Sequence, residues 1–147
     1  MNTNLYEYLS KLNTDQLKIF YGAFVYFWAN NKCFISKQNF FNLWCEINYC
    51  CHDLDDSFPD PYDNHELLKA FCHAHPYYFI NILPADLIAR LFAEHVDDRV
   101  DILAGIVKKI YEEDITDVYK YANEVLGLDK PVDILVKEAQ DHIKYFS

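Results

Sequence analysis

Apolar positions recur every three to four residues along almost the whole chain, the spacing of one face of an α-helix. Leu5, Tyr8, Leu9 and Leu12 predict a short amphipathic helix at the start. Thr14 offers an N-cap oxygen for a second helix reaching to about Asn30. The apolar residues of that helix, including Leu17, Phe20, Tyr21, Phe24, Val25, Phe27 and Trp28, run nearly all the way round it. Such a pattern belongs to a helix enclosed by others. A third helix is predicted from Ser36 to about Cys51, carrying Phe40, Phe41, Leu43, Trp44 and Ile47.

Residues 53–63 interrupt this pattern with Asp53, Asp55, Asp56, Pro59, Asp60, Pro61 and Asp63. Proline removes a backbone donor and aspartate competes for the others, so this stretch reads as a loop. Asp63 and Glu66 have the offset of a capping box, which opens a helix from Asn64 to about His75, stopped by Pro76. Tyr77 to Leu83 is ambiguous and fits a single tight helical turn. Four helices then follow in quick succession. The first starts at Pro84 with Leu87, Leu91 and Phe92 on one face, and the second is capped by Asp97 or Asp98 ahead of Val100, Leu103, Val107 and Ile110. The third opens at Asp114 and ends at Gly127, and the last starts at Asp129 and Pro131 with Val132, Leu135, Val136, Ala139 and Ile143 inward. Links this short set successive helices side by side and roughly antiparallel.

Composition narrows the fold class. Hydrophobic residues make up 52% of the 147 positions, enough for one sizeable core, while 3 Gly and 5 Pro are too few for a strand-and-turn architecture. The expectation is an all-α protein: a single domain over residues 1–147, with about seven to eight mostly antiparallel helices around the apolar helix at 15–30. The longest apolar run, Ile19 to Ala29, falls well short of the roughly 20 residues of a membrane span. It also lacks the basic flank of a signal peptide, since Glu7 and Asp15 precede it. The five cysteines are odd in number, and Cys50 and Cys51 are adjacent, unlike the spaced even set of a secreted scaffold. Reduced thiols and a cytoplasmic location are expected.

No catalytic signature emerges, and the chain is expected to be neither an enzyme nor a holder of a cofactor or metal. With Asp55 at position 1, Glu66 falls at position 12 of a calcium loop, but Asp60 replaces the pivotal glycine at position 6. Cys50, Cys51, His52, Cys72, His73 and His75 are the residue types of a zinc site. The upstream three are contiguous, however, and one backbone segment can hardly present two of them tetrahedrally. Whether these side chains hold a metal stays open at this level. A nucleophilic cysteine needs positive surroundings, and no Lys or Arg lies between Gln38 and Leu68. Glycine-rich phosphate loops are absent.

Charge carries the remaining information. The net charge is −10, which disfavours direct contact with phosphate backbones. Residues 1–50 carry +1, residues 51–100 carry −7 and residues 101–147 carry −4. Many of these acids, such as Asp86, Asp101 and Asp133, fall at predicted helix starts, where the helix dipole favours them. Asp53, Asp55, Asp56 and Asp60 do not, and Glu112 and Glu113 fall at a predicted helix C-terminus, where negative charge is unfavourable. Groups that oppose local structure are the better candidates for function. Phe58 and Tyr62 lie among them, with Tyr77, Tyr78 and Phe79 beyond Pro76, and aromatics inside an acidic rim suit recognition of a basic protein. The candidate partner-binding set is therefore Asp53, Asp55, Asp56, Phe58, Asp60, Tyr62, Asp63, Glu66, Glu112 and Glu113.

In size, acidity, helical build and lack of catalytic motif, the whole chain resembles the bacterial immunity proteins of colicin and contact-dependent growth inhibition systems. The resemblance implies a cognate basic toxin domain, a ribonuclease or deoxyribonuclease, whose active site the acidic surface occludes. It implies no direct nucleic-acid or membrane partner. Two alternatives stand beside it: a nucleic-acid mimic of the anti-CRISPR or anti-restriction kind, and a non-catalytic helical adaptor.

Overall fold

Helix α2 (Thr14–Ala29) is buried on every side, as its apolar circumference requires. The computed structural model describes residues 3–30, 35–59, 65–96, 100–124 and 126–144. Asn13, not Thr14, caps α2. Its side chain accepts from the Gln16 amide at 2.9 Å, and the Gln16 side chain accepts from the Asn13 amide at 3.1 Å. This reciprocal box satisfies two of the N–H groups that a helix start leaves without intrahelical partners. Thr14 becomes the first helical residue.

The remaining helices among the described residues are α1 (Thr3–Leu9), α3 (Lys37–Leu54), α4 (His65–Ala74), α5 (Tyr78–Ile82), α6 (Ala85–His95), α7 (Val100–Glu112), α8 (Val118–Glu124) and α9 (Val132–Lys144). The protein is all-α, with no strand among the described residues. The count is nine because the ambiguous Tyr77–Leu83 segment forms α5, which turns Phe79 and Ile80 into the core. One continuous core runs from Leu5 to Ala139.

Aromatic rings fill the space between α2, α3, α5 and α6. Phe92 meets Phe20 edge-on at 5.5 Å and Phe24 at 5.3 Å, and Phe79 meets Tyr21 at 5.3 Å and Trp44 at 5.4 Å. Each such pair adds about 0.5–1.5 kcal/mol beyond area burial, so the cluster fixes mutual orientation as well as contact. At the far end of α2, Trp28 stacks on Phe40 at 4.4 Å and its Nε1–H donates to the Ile35 carbonyl at 2.8 Å. That joint ties the start of α3 to the end of α2, and α3 then packs on α6 and α5.

Two boundaries differ from the expectation. Helix α3 continues to Leu54 instead of stopping at Cys51, because nothing in His52–Asp53–Leu54 opposes helical geometry. It ends at Asp55, whose backbone turns extended (φ −150°, ψ 105°). Helix α8 begins at Val118 rather than Asp114. Asp114 lies beyond α7 with φ 48°, a left-handed conformation that aspartate tolerates, and its carboxylate accepts from Gln16 Nε2 at 3.3 Å. The cap of α8 is Asp117, which accepts from the amides of Tyr119 (2.9 Å) and Lys120 (3.3 Å). Gly127 does follow α8 with φ 67°, and the next amide, Leu128, donates back to the Ala122 carbonyl at 2.7 Å.

The closest approach in the fold is that of α9 to α2 at Gly22. A Cβ there would lie 1.9 Å from Val132 Cγ1 and 3.1 Å from Val136 Cγ2. Both valines are fully buried and β-branched, so neither rotates aside freely. Gly22→Ala is therefore expected to destabilise the protein by about 1–3 kcal/mol, although alanine is the better helix former. Gly105 on exposed α7 has no atom within 4 Å of such a Cβ, and Gly105→Ala is expected to stabilise by about 0.5–1 kcal/mol. Paired thermal and urea unfolding checks both signs.

Candidate functional site

Helix α3 has two unlike faces. Leu43, Trp44, Ile47 and Cys51 enter the core. Glu46, Tyr49 and Asp53, at offsets of three and four residues, line an outward stripe with half-buried Cys50 between them. Tyr49 is 72% exposed, the most exposed of the large hydrophobics among the described residues. Beside α3 runs α6, whose outward residues Asp86, Arg90 and Glu94 repeat every four positions. The helices are antiparallel: Glu46 meets His95 at the C-terminus of α6, and one turn on Cys50 lies within electrostatic reach of Arg90. At the other end of α6, Asp86 accepts a hydrogen bond from the Tyr6 hydroxyl at 2.5 Å. Among the described residues this face is acidic, with Glu46, Asp53, Asp86 and Glu94 around one arginine.

The sequence-predicted set divides in four ways. Asp53 lies in the last turn of α3, not in a loop, and is exposed, as is Asp56. Asp55 is occupied locally: its Oδ1 accepts from the Ser57 amide (2.9 Å) and the Ser57 hydroxyl (2.7 Å), which hold its carboxyl below the usual range. Phe58 is corrected from partner anchor to core residue, since it is 2% exposed and packs edge-on to Phe71 at 5.0 Å and against Tyr78 at 5.6 Å. The chain brings it inward because the turn at Asp55–Ser57 folds the segment back over α5. Phe79 is buried for the same core, and Tyr77 and Tyr78 are half-buried. Asp60, Tyr62 and Asp63 lie outside the described residues.

Glu66 is exposed in the first turn of α4. Glu112 and Glu113 stand at the C-terminus of α7, opposite Lys108 (4.0 Å) and Lys109 (3.6 Å), so their charge is offset on their own helix. Helix α7 packs on α1 and α2 rather than on α3. The two glutamates therefore do not join the Asp53–Asp56 cluster on one continuous contact. Tyr49, Glu46 and Glu94 were missed, although their signal is in the sequence: they fill the positions that the core spacing of α3 and α6 leaves outward.

The chemistry available to the thiols is limited. Burial, followed by the neighbouring Cys50 and Asp55, pushes the Cys51 thiol up to about 12, and burial with Glu46 and Asp53 also raises Cys50, against Arg90. Neither is poised as a thiolate. Cys50, Cys51, His52 and His75 form no metal-ligating group among the described residues, and the side chains of Cys72 and His73 lie outside them. What does converge is Glu46, Glu94 and His95, whose ligand atoms all lie within 4.8 Å of one another.

The raised Cys51 value fixes a sign. The unfolded chain releases this proton near 9.0 and the folded chain near 12, so its contribution to stability is intact below 9 and is lost as pH rises between those values. At pH 8 native Cys51 is expected to alkylate about a thousandfold more slowly than the unfolded thiol, with Cys50 faster than Cys51. Mass-spectrometric mapping of iodoacetamide labelling checks the order. Compared with protein-family models, curated proteins and solved structures, the chain matches none.

Proposed function

We propose that this chain is an inhibitory binding protein of the immunity type, which occludes the active site of a basic cognate domain, a nuclease toxin. The observation that carries this reading is the outward stripe of α3, where exposed Tyr49 stands between Glu46 and Asp53. Asp56 and Glu94 extend its negative charge. Exposed tyrosines are efficient anchors because a large rigid ring loses little conformational freedom on binding. Flanking carboxylates complement the Lys and Arg with which a nuclease holds phosphates, and they accelerate encounter. No helix of the described residues is long and apolar enough to cross a membrane. The free thiols of Cys50 and Cys51 are in keeping with a cytoplasmic site of action.

The interface assigned by this reading is Tyr49, Asp53 and Asp56, with Glu66 at its margin; Phe58 contributes by shaping the core beneath. The test begins with recovery of the partner from the native host at low salt, followed by titration of its nuclease activity. Wild-type protein is expected to abolish that activity at one equivalent. Tyr49→Ala is expected to weaken binding by about 2 kcal/mol, and Asp53→Asn with Asp56→Asn to slow association, most strongly at low salt. Binding unchanged in the combined variant overturns this interface. A partner that nucleic acid displaces, and that is itself a large nucleic-acid enzyme, replaces the immunity reading with mimicry.

A further inference from the structure

The His95 ring is locked at the end of α6. Its Nδ1 lies 2.8 Å from the Leu91 carbonyl oxygen one turn earlier. A carbonyl can only accept, so Nδ1 carries hydrogen and Nε2 is the nitrogen directed outward. Nε2 faces Glu46 Oε1 at 3.2 Å, across the gap between α6 and α3. The side chain is 11% exposed, so this pair is largely shielded on the histidine side. In the neutral ring Nε2 is an acceptor, and two acceptors do not face each other at hydrogen-bond distance without a positive charge between them.

We propose that Glu46, Glu94 and His95 form a binding site for a divalent transition-metal ion, zinc being the best match to one imidazole and two carboxylates. The donors of a tetrahedral zinc lie about 2.0–2.2 Å from the ion and hence about 3.3–3.5 Å from one another. The His95–Glu46 separation is already close to that edge, and the Glu94 carboxylate lies within 4.8 Å. Glu94 and His95 are neighbours in sequence, but the long glutamate side chain brings its carboxylate to the ring, and both glutamates are exposed and can close the remaining distance by side-chain rotation. The hydrogen bond from Nδ1–H to a backbone carbonyl is the support that metal-bound histidines ordinarily have, because it fixes both tautomer and ring plane.

Two carboxylates and the negative end of the α6 dipole converge on this place, and a zinc ion supplies two positive charges to them. Three protein donors leave a fourth position to water, and the ion ties α3 to the last turn of α6 one turn from Tyr49. This site shares no ligand with the Cys50, Cys51, His52, Cys72 and His75 set.

Zinc titration of the full reduced chain, freed of metal by chelator, tests the assignment. Saturation at one equivalent is expected, together with a zinc-dependent rise in Tm. Glu46→Gln and Glu94→Gln should each weaken binding at least tenfold and remove that rise, with far-UV circular dichroism unchanged. His95→Ala takes away a ring packed between helices, so the two glutamate variants carry the test. Cobalt is the spectroscopic probe: visible d–d bands without a thiolate-to-cobalt charge-transfer band place the metal on nitrogen and oxygen. Absence of saturable binding, affinity unchanged in both glutamine variants, or a thiolate band that puts the metal on cysteine each overturns the proposal.

Discussion

A helix enclosed on every side must satisfy its own ends and let its neighbours approach without obstruction, and the rest of this fold depends on both conditions being met in α2. The Asn13–Gln16 box closes the N-terminus internally, so no external partner is required there. Gly22 lets α9 lie against the α2 backbone, with Val132 occupying the space a Cβ would take. On the other flanks of α2, Phe20 and Phe24 meet Phe92 and the Tyr21 ring meets Phe79, while the Tyr21 hydroxyl accepts from Gln140 Nε2 of α9 at 3.0 Å. The edge-to-face ring contacts then set how α5 and α6 sit on α2, and α6 in turn sets the surface shared with α3.

Helix identity was legible because it depends on local periodicity, and the apolar circumference of α2 announced a central position. Boundaries were less legible, since several residues compete for the same cap. Thr14 and Asn13 both offer an oxygen, and the outcome turned on Gln16 being three residues after Asn13. Asp114 and Asp117 likewise both resemble caps. Asp114 was claimed by the C-terminal turn of α7 and by Gln16, contacts 98 residues apart in sequence that no local pattern reveals. The start of α5 was ambiguous because five residues give too little periodicity to distinguish a helical turn from an irregular link.

The candidate surface was half legible for a related reason. Charge is visible in a sequence, but exposure of an aromatic depends on which helix face is already filled. Phe58 sits among aspartates, yet the Asx turn of Asp55 with Ser57 carries it under α5, where Phe71 and Tyr78 complete its packing. Tyr49 sits in an apolar-rich helix, yet Leu43, Trp44, Ile47 and Cys51 take the core positions and leave it outward. Local composition misleads about the exposure of both rings, whereas the helical phase of α3 gives that of Tyr49. The same reasoning separates the acids: Glu112 and Glu113 are answered by lysines one turn earlier, whereas α3 beyond Gln38 has no Lys or Arg with which to answer Glu46 or Asp53.

An unanswered row of carboxylates is a cost to the isolated fold, because like charges on adjacent helices repel and no helix dipole compensates them at the C-terminal ends of α3 and α6. Stability alone would place Lys or Arg among them, as it does on α7. Among the described residues Arg90 is the one Lys or Arg on the α3–α6 face, and His95 is drawn to Glu46 from within. The proposed cation between Glu46, Glu94 and His95 would relieve the repulsion at the α6 end, and the proposed basic partner over Tyr49 and Asp53 would relieve it along α3. The two would share one surface, since Glu46 and Glu94 belong both to the metal site and to the acidic rim of Tyr49, whereas Asp53 and Asp56 belong to the rim alone. Their common root is the antiparallel pairing of α3 with α6, which the aromatic core imposes from below and the surface charge opposes from above.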